Sequence, residues 1–182
     1  MPKVLKIDLH THPVAALKQQ MGIRGIGDIT KEVAFEIVKA VKAAGLNGIG
    51  ITENNNFNHS WVACLQIREY FRSENLIIIP GSELTLNGHQ FLQLYIPPTY
   101  RKRMPFFKNK EWYYILANPG TTRSFGNNFL NEVTFDAVEE KSLRGYFPNS
   151  DEISKQHHAA LIQASDAYLL KDLGSFYIEL PG

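Results

Sequence analysis

Two histidines one residue apart carry the first hint of chemistry. In Asp8-Leu9-His10-Thr11-His12 the imidazoles follow directly on the apolar run Val4-Leu5-Lys6-Ile7-Asp8-Leu9, which reads as a strand. Residues two apart on an extended strand point the same way, so His10 and His12 can aim nitrogen lone pairs at one ion. Two surface histidines would have the same spacing, and the motif gains weight from its context. Polar residues recur after later apolar runs: Glu53-Asn54-Asn55-Asn56, Ser82-Glu83, Asn118-Pro119, and Ser165-Asp166 with Tyr168. His89 lies at the start of the run after Glu83. Imidazoles and carboxylates gathered at one rim suit a borderline divalent cation such as zinc, manganese or iron. Such an ion activates water, so hydrolysis is the expected chemistry.

Single residues carry competing readings. Glu83 bridges ions or pairs with a base, and otherwise is a partly buried ion-pair partner. Asp166 ligates, or it caps a helix, as Ser-Asp after a strand often does. Arg123, and Arg101 or Arg103, can hold a phosphate as bidentate donors. Arg101, Arg103, Lys108 and Lys110 belong to an irregular insertion from Pro97 to Lys110. That insertion is either a solvated loop or an anion-attracting lid over the site. His59 is a weaker ligand candidate, and His157-His158 on a helix diverge too much to share an ion.

These residues need elements to position them. Thr30 to Ala44 has apolar residues at Val33, Ile37, Val38 and Val41, a helical stripe with Thr30 as N-cap and Gly45 as C-cap. Trp61 to Arg72 and Asp151 to His158 also read as helices. Strands are expected at Gly48–Thr52, Leu76–Pro80, Phe91–Ile96, Tyr113–Ala117, Val133–Val138, Ala160–Ala164 and Phe176–Leu180. Strands alternating with helices imply parallel β/α units, whose active sites lie at the strand C-termini. Seven or so units suggest an α/β barrel or a strongly curved sheet.

Composition sets the bounds. The chain has 182 residues, 44% hydrophobic and 20% charged, which suits one globular domain. A net charge of +1 gives no global field to attract nucleic acid or anionic membrane. No stretch approaches a membrane span or a signal peptide, and the lone Cys64 reads as buried packing in a reducing compartment. The setting expected is cytoplasmic.

Taken in order, these motifs resemble those of the polymerase and histidinol phosphatase (PHP) family. Asp8–His12 matches the first motif, Gly45–Asn54 resembles the second, and Ile79–Leu84 with Gly88-His89 the third. Ala117-Asn118-Pro119-Gly120 sits where the family has His-Pro, and Ser165–Tyr168 followed by Asp172-Leu173-Gly174 resembles the last. The resemblance covers almost the whole chain, residues 1–182. It implies a distorted (β/α)7 TIM-like barrel as a single domain, with up to three divalent ions and phosphoester hydrolysis. The first metal position would use His10, His12, Glu83 and Asp166. The second would share Glu83 and add His89 and Asn118, which stands where the family has histidine. The third depends on histidines where this chain has Asn54 and Tyr168. Asparagine is a poor zinc ligand, and tyrosine ligates only as phenolate. The resemblance therefore implies a phosphatase or phosphodiesterase with one ion and room for a second, Glu83 and Asp166 at its catalytic centre, acting on a small phosphorylated substrate or nucleotide. Its rival is a degenerate relative that binds one ion or none and serves as a binding or scaffold protein.

Overall fold

In a computed structural model, the residues described are 4–101, 110–120 and 128–181. Arg103 and Arg123 lie outside them. β1 (Val4–Thr11), β2 (Gly48–Ile51) and β3 (Ile77–Leu86) are parallel neighbours. Helices α1 (Pro13–Met21), α2 (Lys31–Ala43) and α3 (Phe57–Tyr70) alternate with them. The apolar stripe of α2 is buried: Val33, Ile37 and Val41 share one core cluster with Ile49, Ile51 and Ile78. Gly45, at φ 68°, ends that helix one residue past Ala44. β2 runs so close to β1 that a Cβ on Gly50 would lie 2.5 Å from the Leu9 carbonyl oxygen.

Past β3 the parallel plan stops. Asn87 and Gly88 take φ of 47° and 77°, and they turn β3 straight back into β4 (His89–Tyr95) as an antiparallel hairpin. β5 (Trp112–Ala117) is antiparallel to β4. β6 (Ala137–Ser142) is parallel to β5, and carries β7 (Gly145–Tyr146) antiparallel and β8 (Ala160–Gln163) parallel. β9 (Ile178–Pro181) runs antiparallel on β1. Short helices α4 (Pro98–Arg101), α5 (Asn128–Glu132) and α6 (Ser150–His157) complete the described elements.

The sheet order is β7-β6-β5-β4-β3-β2-β1-β9, with β8 beside β6. The expected barrel of seven parallel units is thus corrected to a mixed α/β domain with a curled half-barrel sheet. Among the described residues no ladder joins β8 to β9. The stretch after β8 instead reaches β1 near its end: the Asp166 N–H donates to the His10 carbonyl and the His12 N–H to the Ala167 carbonyl, both at 2.9 Å. The strand expected at Val133–Val138 begins only at Ala137. Asp136 sets that entry by exchanging backbone and side-chain hydrogen bonds with Tyr114. No helix among the described residues is long and apolar enough to cross a membrane.

The inner face of the curl determines where polar side chains can converge. Leu5, Ile7, Ile77, Ile79 and Ala137 line it in one buried cluster. Side chains alternate with period two, so the same line continues to Glu83 on β3 and to Glu139 on β6. In β1 the register with β2 shifts between Asp8 and Thr11. Such a bulge re-aims side chains. Leu9 belongs to the inner cluster, yet His10 also reaches inward to Glu139 on β6.

Candidate metal centre

Four side chains from three places in the chain meet above the apolar interior. The Nε2 atom of His10 lies 3.6 Å from Glu83 Oε1 and 3.4 Å from Asp166 Oδ1. His12 Nε2 lies 3.6 Å from Glu83 Oε2 and 3.4 Å from the same Asp166 Oδ1. All four residues are buried, and none of these five atoms has a hydrogen-bond partner. A buried polar atom left unpaired costs about 1–3 kcal/mol, so five together call for a ligand. Ligand atoms of His10, His12 and Glu83 fall within 4.8 Å of one another.

The surroundings fix these donors. His10 Nδ1 is 2.7 Å from Glu139 Oε1, in a fully buried pair. When Nδ1 carries the proton, Nε2 presents its lone pair to the cluster, the usual support of a metal-binding histidine. Glu139 Oε2 accepts the Asn118 backbone N–H at 2.9 Å. Asp8 lies behind β1, where its carboxylate accepts the backbone N–H groups of Ser165 and Gly174, both at 3.0 Å. It thereby ties the Asp166 loop to the His10 strand, and burial pushes its pKa up to about 6. Glu53 is likewise buried, and it accepts the Val14 and Ala15 N–H groups at the start of α1. Burial pushes Glu53 up to about 7.

The electrostatics favour a cation. Burial opposes charge on His10, but Glu139, Glu83 and Asp166 hold its pKa well above the ordinary value. Burial holds His12 below it. For Asp166 burial alone would raise the pKa; the nearby His12 ring, the His10 charge and the Arg144 guanidinium bring it down to about 2.

The other expected donors do not join this group. The Asn118 amide donates to Asp166 Oδ2 at 3.2 Å and Gln90 Oε1 at 3.3 Å, while its carbonyl oxygen accepts the Ser142 hydroxyl at 3.1 Å. The His89 ring stacks on Phe129, with centroids 5.9 Å apart. The Asn54 amide donates to the Tyr168 hydroxyl. Tyr168 stacks on the His12 ring at 4.1 Å, and burial, with the charges of Glu83 and Asp166, lifts its phenol to about 12. A phenolate ligand is therefore disfavoured. His59 donates its backbone N–H to Asn56 at the start of α3, and His157 packs on Phe135.

Arg101, expected as a phosphate donor, is placed against its own end of the insertion. Its guanidinium bonds Glu111 at 3.0 Å and the Ile96 carbonyl at 3.4 Å. β4 runs antiparallel to β3, so the insertion after Ile96 leaves from the end of the sheet opposite the cluster. Residues 102–109 of that insertion, on which the lid reading falls, lie outside the described residues. Two functional residues escaped the sequence reading, Glu139 and Arg144. Glu139 lies inside its strand rather than after it, and Arg144 sits in the β6–β7 turn, with its Nε bonded to Asp166 Oδ2.

No family model matches the chain, and no curated protein matches it in sequence. Solved structures do match. One is a two-domain protein from Bacteroides vulgatus containing a predicted PHP-like metal-dependent phosphoesterase, with 18% identity and TM-score 0.60. That match covers 93% of this chain and 53% of the Bacteroides protein, so the chain spans about half of it. PsfC from Pseudomonas syringae matches with 13% identity and TM-score 0.55, over 92% of this chain and 78% of PsfC. An amidohydrolase from Chromobacterium violaceum, solved with bound sulfate and no metal, matches with 12% identity and TM-score 0.59. That match covers 96% of this chain and 92% of the amidohydrolase. The fold is PHP-like. At these identities the likeness concerns the fold, and chemistry has to be argued from the site.

Proposed function

We propose that this chain is a metal-dependent hydrolase of phosphate esters, with His10, His12, Glu83 and Asp166 as the ligands of one divalent ion. The observation that carries the reading is the set of five unpartnered, buried donor atoms, in which each histidine Nε2 lies 3.6 Å from a Glu83 oxygen and 3.4 Å from Asp166 Oδ1. A divalent ion held there supplies Lewis acidity, lowering the pKa of water and offsetting charge on a phosphate oxygen. The chain's own residues prepare that chemistry. Glu139 holds the His10 ring so that Nε2 faces inward. The loop bonds of Asp8 and the Asp166 N–H hold the Asp166 carboxylate over β1. Tyr168 covers the His12 ring and limits access of bulk water. Glu83 is the residue we assign to accept a proton from the attacking water, through whichever of its two unpartnered oxygens does not hold the ion.

A phosphate ester is favoured over other esters because Arg144 adds a guanidinium beside Asp166. The predicted phosphoesterase domain of the Bacteroides protein supports the same class, while the Chromobacterium amidohydrolase supports hydrolysis more generally. The substrate is a small phosphorylated molecule in this reading, and the setting cytoplasmic, with Cys64 buried and its thiol pushed up by burial beyond easy ionisation. The test is metal content followed by turnover. Purified protein should hold about one ion per chain, and should hydrolyse an aryl phosphate or phosphodiester in a way that His12→Ala and Asp166→Ala abolish. Protein that takes up no ion after soaking in manganese or zinc would be a degenerate binding protein instead.

A further inference from the structure

One cation is already built into this site. Arg144 stands in the turn between β6 and β7, with its backbone N–H donated to Ser142 Oγ at 3.2 Å. Its Nε bonds Asp166 Oδ2, the oxygen that does not face the histidines. Asn118 donates to the same oxygen and accepts from Ser142, which closes a ring of four residues: Asn118, Ser142, Arg144 and Asp166. The ring divides Asp166 in two. Oδ1 is left without a partner beside His10 and His12, while Oδ2 is saturated by an amide and a guanidinium.

A second ion does not fit beside the first. It would need Glu83, His89 and the carbonyl oxygen of Asn118. That carbonyl already accepts from Ser142, so beside the shared Glu83 only His89, whose Nε2 is buried without a partner, would be left to hold it. A guanidinium on Asp166 also repels a second divalent ion. Yet Arg144 is not sealed in. Its side chain is 43% exposed against 1% for Asp166, and its Nη groups have no hydrogen bond among the described residues. An arginine anchored through Nε with its outer nitrogens open is arranged to bind a planar or tetrahedral oxyanion.

We propose that Arg144 takes the place of a second metal ion: it keeps the site mononuclear and grips the phosphoryl group of the substrate through its Nη groups. This rests on the hydrolase reading above, and its test can fail separately. Manganese is titrated into metal-free protein, with bound ion counted after dialysis, and inorganic phosphate is then titrated into the loaded protein by calorimetry. We expect one ion per chain in the native protein and in Arg144→Ala and Arg144→Lys. Phosphate binding should weaken about tenfold or more in Arg144→Ala, as loss of a charge-assisted hydrogen bond implies, with partial recovery in Arg144→Lys. The turn position makes misfolding of Arg144→Ala a small risk, and Arg144→Lys, which keeps the charge, covers it. Two ions per native chain, or phosphate affinity unchanged in Arg144→Ala with one ion still bound, would overturn the proposal while leaving the hydrolase reading intact. No ion bound to any of the three proteins would overturn both.

Discussion

The two flanks of the site are built on opposite terms. On one flank, β1 and β3 supply His10, His12 and Glu83, whose inward atoms have no protein partner. On the other, the end of β5 and the β6–β7 turn supply Asn118, Ser142 and Arg144, which bond one another and Asp166. Unpaired buried donors are costly, so a site keeps them only for something it binds. Donors already satisfied are not waiting for an ion. Asp166 belongs to both flanks, one oxygen to each. On the reading proposed above, one flank would hold the ion and the other would stand in for a second.

The largest effect should come from breaking the first flank. His12→Ala removes one of four donors, and its ion affinity should fall by more than about a hundredfold, beyond the range seen when a supporting residue is lost. Equilibrium dialysis with manganese or zinc measures it. Retention of the ion at native affinity would move the centre elsewhere. Glu139→Gln comes next. The amide cannot accept and stabilise the His10 Nδ1 proton as a carboxylate does, so affinity should fall about 10–100-fold with the fold intact by circular dichroism. Asn118→Ala tests the second flank. If its amide only steadies Asp166, affinity should change by no more than about tenfold, the low end of such supporting effects. A loss as large as that of His12→Ala would make Asn118 a ligand after all.

The same two flanks differ in how much the sequence discloses. Around His10, His12 and Glu83 the plan of strand, helix and strand holds, and reading polar residues near the ends of apolar runs singles out all three residues that the structure brings together. The α2 stripe and the strand at Gly48 read correctly for the same reason: each depends on local pattern. Past Leu86 the rule fails. Asn87-Gly88 is a strong local signal for a two-residue hairpin, and it reverses the chain, so the parallel plan cannot extend through β4. α1 announces itself by Pro13 near its first turn and Gly22 after its last, but it follows the metal motif so closely that the two merge. Glu139 and Arg144 are invisible for a different reason. Their roles depend on pairing across 129 and 22 residues of chain, and no local pattern encodes such partners.

The smallest effect on the metal centre, and the sharpest test of its support, is at Glu53. This residue holds the start of α1 from the end of β2 and touches no ligand atom in the cluster. Ion affinity in Glu53→Gln should therefore match the native protein. Stability should not. The folded carboxyl titrates at about 7 against an ordinary 4.5, because burial disfavours its charge more than the two helix N–H groups favour it. The folded chain thus binds more protons than the unfolded chain between those values, so the contribution is fully present below pH 4.5 and is lost as pH rises through about 7. Glutamine stays neutral throughout. Subtracting the two stability curves from urea titrations cancels Asp8, whose raised pKa gives a loss of the same sign in both proteins. The difference should move in favour of Glu53→Gln between pH 4.5 and 7, by at most about 3 kcal/mol at 1.36 kcal/mol per pKa unit. Movement the other way would mean that the N–H groups of α1 win over burial, and that Glu53 is a charged helix cap joining the two elements beneath the metal-binding flank.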